Sequence, residues 1–175
     1  MIAARETEGR TLVIGLGNPL MTDDGIGLAA LERLESEWEI PAEVERVDGG
    51  TWGLRLLPEI EDAGRVLLID AVDVGRPAGE VVVLELDEIP RFLSAKLSPH
   101  QVGVRDVLAL AALRGRLPAE TVAMGIQPAR IEMGTEISDE ARASLDELVG
   151  RVVERLADWG SAPRPRPALE AACTR

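Results

Sequence analysis

The chain has 175 residues and a mass of 18.8 kDa, the size of one domain able to bury a core of its own. Its 19 Lys and Arg stand against 31 Asp and Glu, a formal net charge of −12, and aromatic residues make up 2% with no Tyr; this excludes the basic, ring-bearing surface that binds nucleic acid or an anionic membrane. Cys173 is the only cysteine, His100 the only histidine and Lys96 the only lysine, which excludes an internal disulfide, a Cys-rich zinc site and a P-loop, whose lysine follows a glycine.

Residues 1–10 are polar and are expected to form a flexible N-terminus. The apolar run that follows is broken by glycine from Gly15, too short for a signal sequence or a membrane span. With one cysteine and no such segment, the expected compartment is the cytoplasm.

The run Thr11 to Gly15 is β-branched and apolar, the pattern of a buried strand in an α/β sheet. After a glycine-containing loop, Ile26, Leu28, Ala29, Ala30, Leu31 and Leu34 recur at helical spacing, so a first helix is predicted over about 24 to 38, ended by Pro41. Val44 to Val47 reads as a second strand, Thr51 to Ile60 as a short helix and Arg65 to Asp70 as a third strand. Only the segment Ala71 to Gly79 separates this strand from the next, Glu80 to Leu86, too few residues for a crossover helix, so the fourth strand is predicted antiparallel. Gln101 to Arg114 has helical spacing, Thr121 to Ile126 is the fifth strand, and Ser138 to about Trp159 the last helix. The expected architecture is α/β: a three-layer α/β/α sandwich on a five-stranded, mostly parallel twisted sheet with one antiparallel strand. One domain spans 11–160, and 161–175, rich in Pro, Ala and Arg, is expected to be a disordered tail.

In open α/β sheets the ligand crevice lies beyond the carboxyl ends of the parallel strands. Asp24 follows the first strand and Asp70 ends the third, so both carboxylates arrive at that edge. A helix feeding a parallel fifth strand must start there too. Ser98-Pro99-His100-Gln101 reads as its start, with Ser98 as N-cap, Pro99 at the first position and Gln101 completing a capping box, which puts His100 in the first turn. There the helix dipole disfavours an imidazolium, leaving a lone pair for a metal. Two carboxylates and an imidazole suit Zn, Ni, Fe or Mn. Each residue also has an ordinary structural role: Asp23 and Asp24 complement a helix dipole, Asp70 serves a turn, and Asn18 before Pro19 forms one. Gly15-Leu16-Gly17 opens like a dinucleotide fingerprint, but its third glycine, needed for close helix packing, would fall on Leu20.

With VIGLGNPLMTDDGIG at 13 to 27, VDGGTWGLRLL at 47 to 57, LLIDAVDVG at 67 to 75 and LSPHQVGVRDVL at 97 to 108, the chain resembles the hydrogenase maturation endopeptidases over about 11 to 160. The resemblance implies an α/β/α sandwich with one antiparallel strand and a peptidase that trims the C-terminal extension from the [NiFe] hydrogenase large-subunit precursor after nickel insertion. It places the metal-contacting and catalytic positions on Asp24, Asp70 and His100, and it implies that the nickel is carried by the substrate. Some members have Glu at the position of Asp24. Water activated by the metal and water activated by a carboxylate remain alternative nucleophiles. Two other readings are a peptidyl-tRNA hydrolase-like enzyme, which shares the GLGNP turn but needs a histidine soon after the first strand, and a non-catalytic hydrogenase assembly chaperone.

Overall fold

A computed structural model of the chain describes residues 10–89 and 103–167. Strand β1, Thr11–Leu16, is buried along its whole length and lies between β3, Val44–Gly50, and β4, Arg65–Ala71, parallel to both. Beyond β4 come β6, Glu120–Ile126, parallel, and β5, Val81–Glu85, antiparallel to β6, so the sheet order is β3-β1-β4-β6-β5. The antiparallel strand is the one whose connection was too short for a crossover.

Helices cover both faces. Helix α1, Ile26–Glu37, packs on one side with α5, Leu145–Asp158, against Val13, Leu67, Ile69, Val122 and Met124. On the other, α2, Leu57–Asp62, and α3, Val104–Leu113, cover Leu12, Ile14, Val66, Leu68 and Ala123. Alternate residues of β1 and β4 thus serve two cores, the consequence of period-2 side-chain alternation in strands buried on both faces. No helix among the described residues is long and apolar enough to cross a membrane.

The boundaries differ from expectation in four places. A 3-10 turn, Thr22–Gly25, precedes α1, and another, Gly53–Leu56, precedes α2. The last helix is interrupted at Ser144, giving α4, Asp139–Ala143, before α5.

Helix α3 starts at Val104, not at Pro99: Gly103 is its N-cap, and Asp106 Oδ2 accepts the Gly103 N–H at 3.1 Å. The capping role expected of Ser98 and Gln101 therefore does not apply to this helix. Gly103 is extended (φ −79°, ψ 171°), so the backbone enters the helix there, with a first-turn carboxylate favourable to its dipole. Ser98, His100 and Gln101 lie outside the described residues.

Of the tail expected to be disordered, 161–175, the described part, 161–167, is instead ordered, and the rest lies outside the described residues. Ser161 is buried, β7, Arg164–Pro165, pairs antiparallel with β2, Trp38–Glu39, and Arg166 donates its main-chain N–H to Glu37 O at 2.7 Å. Arg166 Nε reaches the carbonyls of Glu35 and Trp38, each at 3.1 Å. Those carbonyls close α1, whose last turn has no partners within the helix, so the Pro-Arg segment is recruited by a local need that composition does not register. At the other end Arg10 is tied to Glu59, its Nη2 to Oε2 at 2.7 Å, and to Glu45, its Nε to Oε2 at 2.8 Å.

Candidate active site

The parallel arrangement of β1, β4 and β6 brings their carboxyl ends to one edge, where the Asp24 main chain and the Asp70 carboxylate both approach Gly17. A Cβ on Gly17 would fall 1.7 Å from the Asp24 carbonyl oxygen and 3.6 Å from Asp70 Oδ1, and φ there is +110°. Only glycine adopts that backbone at so close an approach. The second glycine of the GLG turn therefore serves to bring the two carboxylate-bearing segments together.

Asp24 Oδ2 accepts the Asn18 N–H at 2.8 Å, and Asn18 Oδ1 accepts the Leu20 N–H at 3.0 Å. Asn18 is thus the turn former of its ordinary reading. Asp70 is 7% exposed, and its Oδ1 accepts the N–H of Ala71 at 2.8 Å. Opposite it on β6 is Gly125, where a Cβ would stand 2.0 Å from the Asp70 carbonyl oxygen. Both carboxylates are therefore oriented by main-chain N–H groups before any partner arrives.

The close helix-sheet contact expected of a third fingerprint glycine exists, but at Gly27. A Cβ there would lie 2.2 Å from Ile69 O and 2.4 Å from Leu16 O. The intervening 3-10 turn displaces that function seven residues along the chain and makes room for Asp23 and Asp24.

Two residues that frame this edge were missed as site residues. Asp23, read only as a dipole complement, is fully buried. Its Oδ2 accepts N–H bonds from Ala129 at 2.8 Å and Arg130 at 3.1 Å and the Ser138 hydroxyl at 2.9 Å, while Oδ1 accepts the Ser138 N–H at 2.7 Å. Burial alone raises its pKa, but the bonds from Ser138, Arg130 and Ala129 outweigh it and hold the carboxyl below its ordinary value. Thr22 beside it adopts φ +45° and ties down the same loop, donating its hydroxyl to Arg130 O at 3.0 Å and its main-chain N–H to Gly134 O at 2.8 Å. Gln127, buried just past β6, accepts the N–H groups of Val74 and Arg76 and donates to Asp73 Oδ1 at 2.9 Å, fixing the loop that follows Asp70. The doubled Asp was the only local signal for the first, and nothing in the pattern marked the second.

Helix α3 also begins at this edge. Its far end is fixed at the opposite one, where Arg114 Nε meets Glu61 Oε1 at 3.0 Å, just ahead of β4. His100, three residues before the Gly103 cap, lies outside the described residues. Of the three residues predicted for the site, the structure brings Asp24 and Asp70 together. No group of three His, Cys, Asp or Glu suited to a metal occurs among the described residues.

A family model described as hydrogenase maturation protease matches residues 28–155. The chain is 37% identical over 159 residues to the hydrogenase expression/formation protein HoxM of Cupriavidus necator, covering 90% of this chain and 79% of that protein. It is 32% identical to the hydrogenase 2 maturation protease of Escherichia coli over 91% of its own length and 98% of the other. Among solved structures it resembles the hydrogenase maturating endopeptidase HybD of Escherichia coli with a TM-score of 0.84, at 32% identity over 90% and 98% of the two chains. The [NiFe] hydrogenase maturation protease HybD of Thermococcus kodakarensis gives 0.66 at 36% identity, over 85% and 99%.

Proposed function

Since the chain belongs to the hydrogenase maturation protease family, and is by that membership a peptide-bond hydrolase, we propose that it removes the C-terminal extension of a [NiFe] hydrogenase large-subunit precursor once nickel has been inserted. An enzyme of this family is neither a peptidyl-tRNA hydrolase nor a non-catalytic assembly chaperone. The observation that carries the proposal is the pair Asp24 and Asp70, whose main chain and carboxylate respectively come up against Gly17 at the carboxyl edge of the sheet, each carboxylate held by a main-chain N–H.

The donor chemistry fits a substrate that brings its own nickel, because carboxylate oxygens and an imidazole nitrogen are ligands that divalent nickel accepts. Asp24, Asp70 and His100 contact the nickel of the precursor, and that contact positions the scissile peptide. Well-oriented reacting groups lower a barrier by up to several kcal/mol without new bonds. Water attacks the scissile carbonyl carbon, one of the two aspartates accepts its proton, and the proton passes to the leaving amine as the C–N bond breaks. The enzyme is then aspartyl-type and uses nickel as a checkpoint. The compartment that suits a chain with a single thiol is the cytoplasm.

Mass spectrometry of nickel-loaded and nickel-free precursor, each mixed with a small fraction of enzyme, tests this. Loss of the extension from the loaded precursor alone is the expected result. Equal cutting of both removes the nickel-reading role of the three residues, and cutting of neither removes the function. His100→Ala is expected to lower turnover at least 100-fold with an unchanged circular dichroism spectrum; an active variant would overturn its role.

A further inference from the structure

Above α1 runs a groove of about 410 Å³. Its floor is one stripe of the helix, Gly25, Leu28, Ala29, Glu32 and Glu35, residues three or four apart that share a face. One end lies beside the candidate active site: Pro19 and Gly25 line it, and these flank the Asn18-to-Asp24 bond. Asp48 forms a side wall at the carboxyl end of β3, paired in register with Gly15.

The lining carries three carboxylates and no basic side chain. Elsewhere on this protein arginines pair with acids, as Arg33 does with Glu37 and Asp146, or Arg151 with Glu147 and Glu154. In the groove only Glu35 is so held, by Arg46 Nε at 3.2 Å; Glu32 and Asp48 make no ion pair with any described residue. Two exposed apolar side chains adjoin the lining residues in the chain: Leu20, 63% exposed, follows Pro19, and Met133, 90% exposed, comes two residues before Thr135. Their loops are joined by the Gly134 N–H to Leu20 O bond of 3.0 Å. A lining that mixes Leu28, Ala29 and Ile137 with three carboxylates and no basic side chain matches a cationic, otherwise apolar, extended peptide.

We propose that this groove binds a basic segment of the precursor next to the bond that is cut, so that Glu32 and Asp48 select a Lys or Arg of the substrate. The inference rests on the proposed cleavage of that precursor. From Gly25 to Glu32 the chain rises roughly 10 Å, which an extended peptide at about 3.3 Å per residue spans in about three residues. The cation selected by Glu32 therefore sits about three residues from the scissile bond.

Two measurements test it. In steady-state cleavage of nickel-loaded precursor, Glu32→Gln and Asp48→Asn are each expected to raise KM about tenfold with kcat within twofold, while Glu154→Gln on α5 changes neither. Precursor with its Lys or Arg at that spacing changed to Glu should be cut poorly by the native enzyme and recovered by Glu32→Arg. Separately, a fluorescein-labelled apolar decapeptide with one central Arg should bind the native chain about tenfold tighter than Glu32→Gln, and its Arg→Gln counterpart should not discriminate between the two. Unchanged KM in both groove variants, or equal binding of the two peptides, overturns the proposal. If the native chain cuts no precursor, the cleavage reading fails and peptide binding alone decides the groove.

Discussion

Asp23 illustrates how a single side chain fixes a site it does not enter. A carboxylate taken out of water is costly unless its oxygens are satisfied, and here four donors from one remote loop satisfy them. Asp23→Asn retains one acceptor oxygen and turns an NH2 toward those donors, so a loss of about 2–4 kcal/mol is expected in urea unfolding. Because the folded-state pKa of Asp23 lies below its unfolded value, its contribution is complete above about pH 4 and is lost as pH falls through the folded value. The stability gap between native and Asp23→Asn proteins should therefore narrow below about pH 4, and a gap independent of pH would contradict the charged clamp. Gly17 gives the second residue-scale prediction. A methyl group cannot occupy a point 1.7 Å from the Asp24 carbonyl, so Gly17→Ala must push the two carboxylate segments apart. Turnover should fall at least 100-fold along with a loss of about 3 kcal/mol or more.

Elements in this fold are held at their ends by residues from other parts of the chain. The last carbonyls of α1 are closed by the side chain and main chain of Arg166, a cation at the negative end of the helix dipole. Arg166→Ala is expected to cost about 1–2 kcal/mol, seen as a lowered melting temperature, with cleavage retained; Arg166→Lys should recover only part, since a Lys ammonium lacks the fork that spans two carbonyls. Ser138 does two tasks at once, donating its hydroxyl to Asp23 and accepting the Ala141 N–H at 3.2 Å to start α4. The start of α3 shows why the sequence pattern misled at this scale. Ser98-Pro99-His100-Gln101 satisfies a capping box by residue type, but a second, equally local cap in Gly103 and Asp106 begins the described helix. Capping chemistry says which residues can begin a helix, and the choice between two candidates a turn apart belongs to packing: Val107, Leu108 and Ala111 are the buried positions, and the helix starts one turn before them.

For the molecule as a whole, the core is two layers sharing one sheet, with β1 and β4 inside both. Their amides should exchange with solvent deuterium only on global unfolding, while β3 and β5 at the sheet edges and the β2–β7 pair exchange through local opening; faster exchange in β4 than in β5 would contradict this layering. What the sequence by itself determined was the five strands of the main sheet, the antiparallel sense of the fourth, and the arrival of Asp24 and Asp70 at one edge, because strand periodicity and connection length are local quantities and topology follows from them. It also carried the family in four ordered motifs. Only the tertiary structure decided that Gly27 rather than Leu20 stands at the close helix contact, that Asp23 is a clamp while Asp24 is held by the Asn18 N–H, that Arg166 straps α1, and that an acidic groove leads away from the site. The Gly27 contact depends on a partner more than 40 residues away, and the Asp23 clamp and the Arg166 strap on partners more than 100 residues away. A hydrogen-bond donor or a carbonyl at such a distance leaves no periodic trace in the residues it will meet, so the contact exists only once the sheet has brought the two segments together.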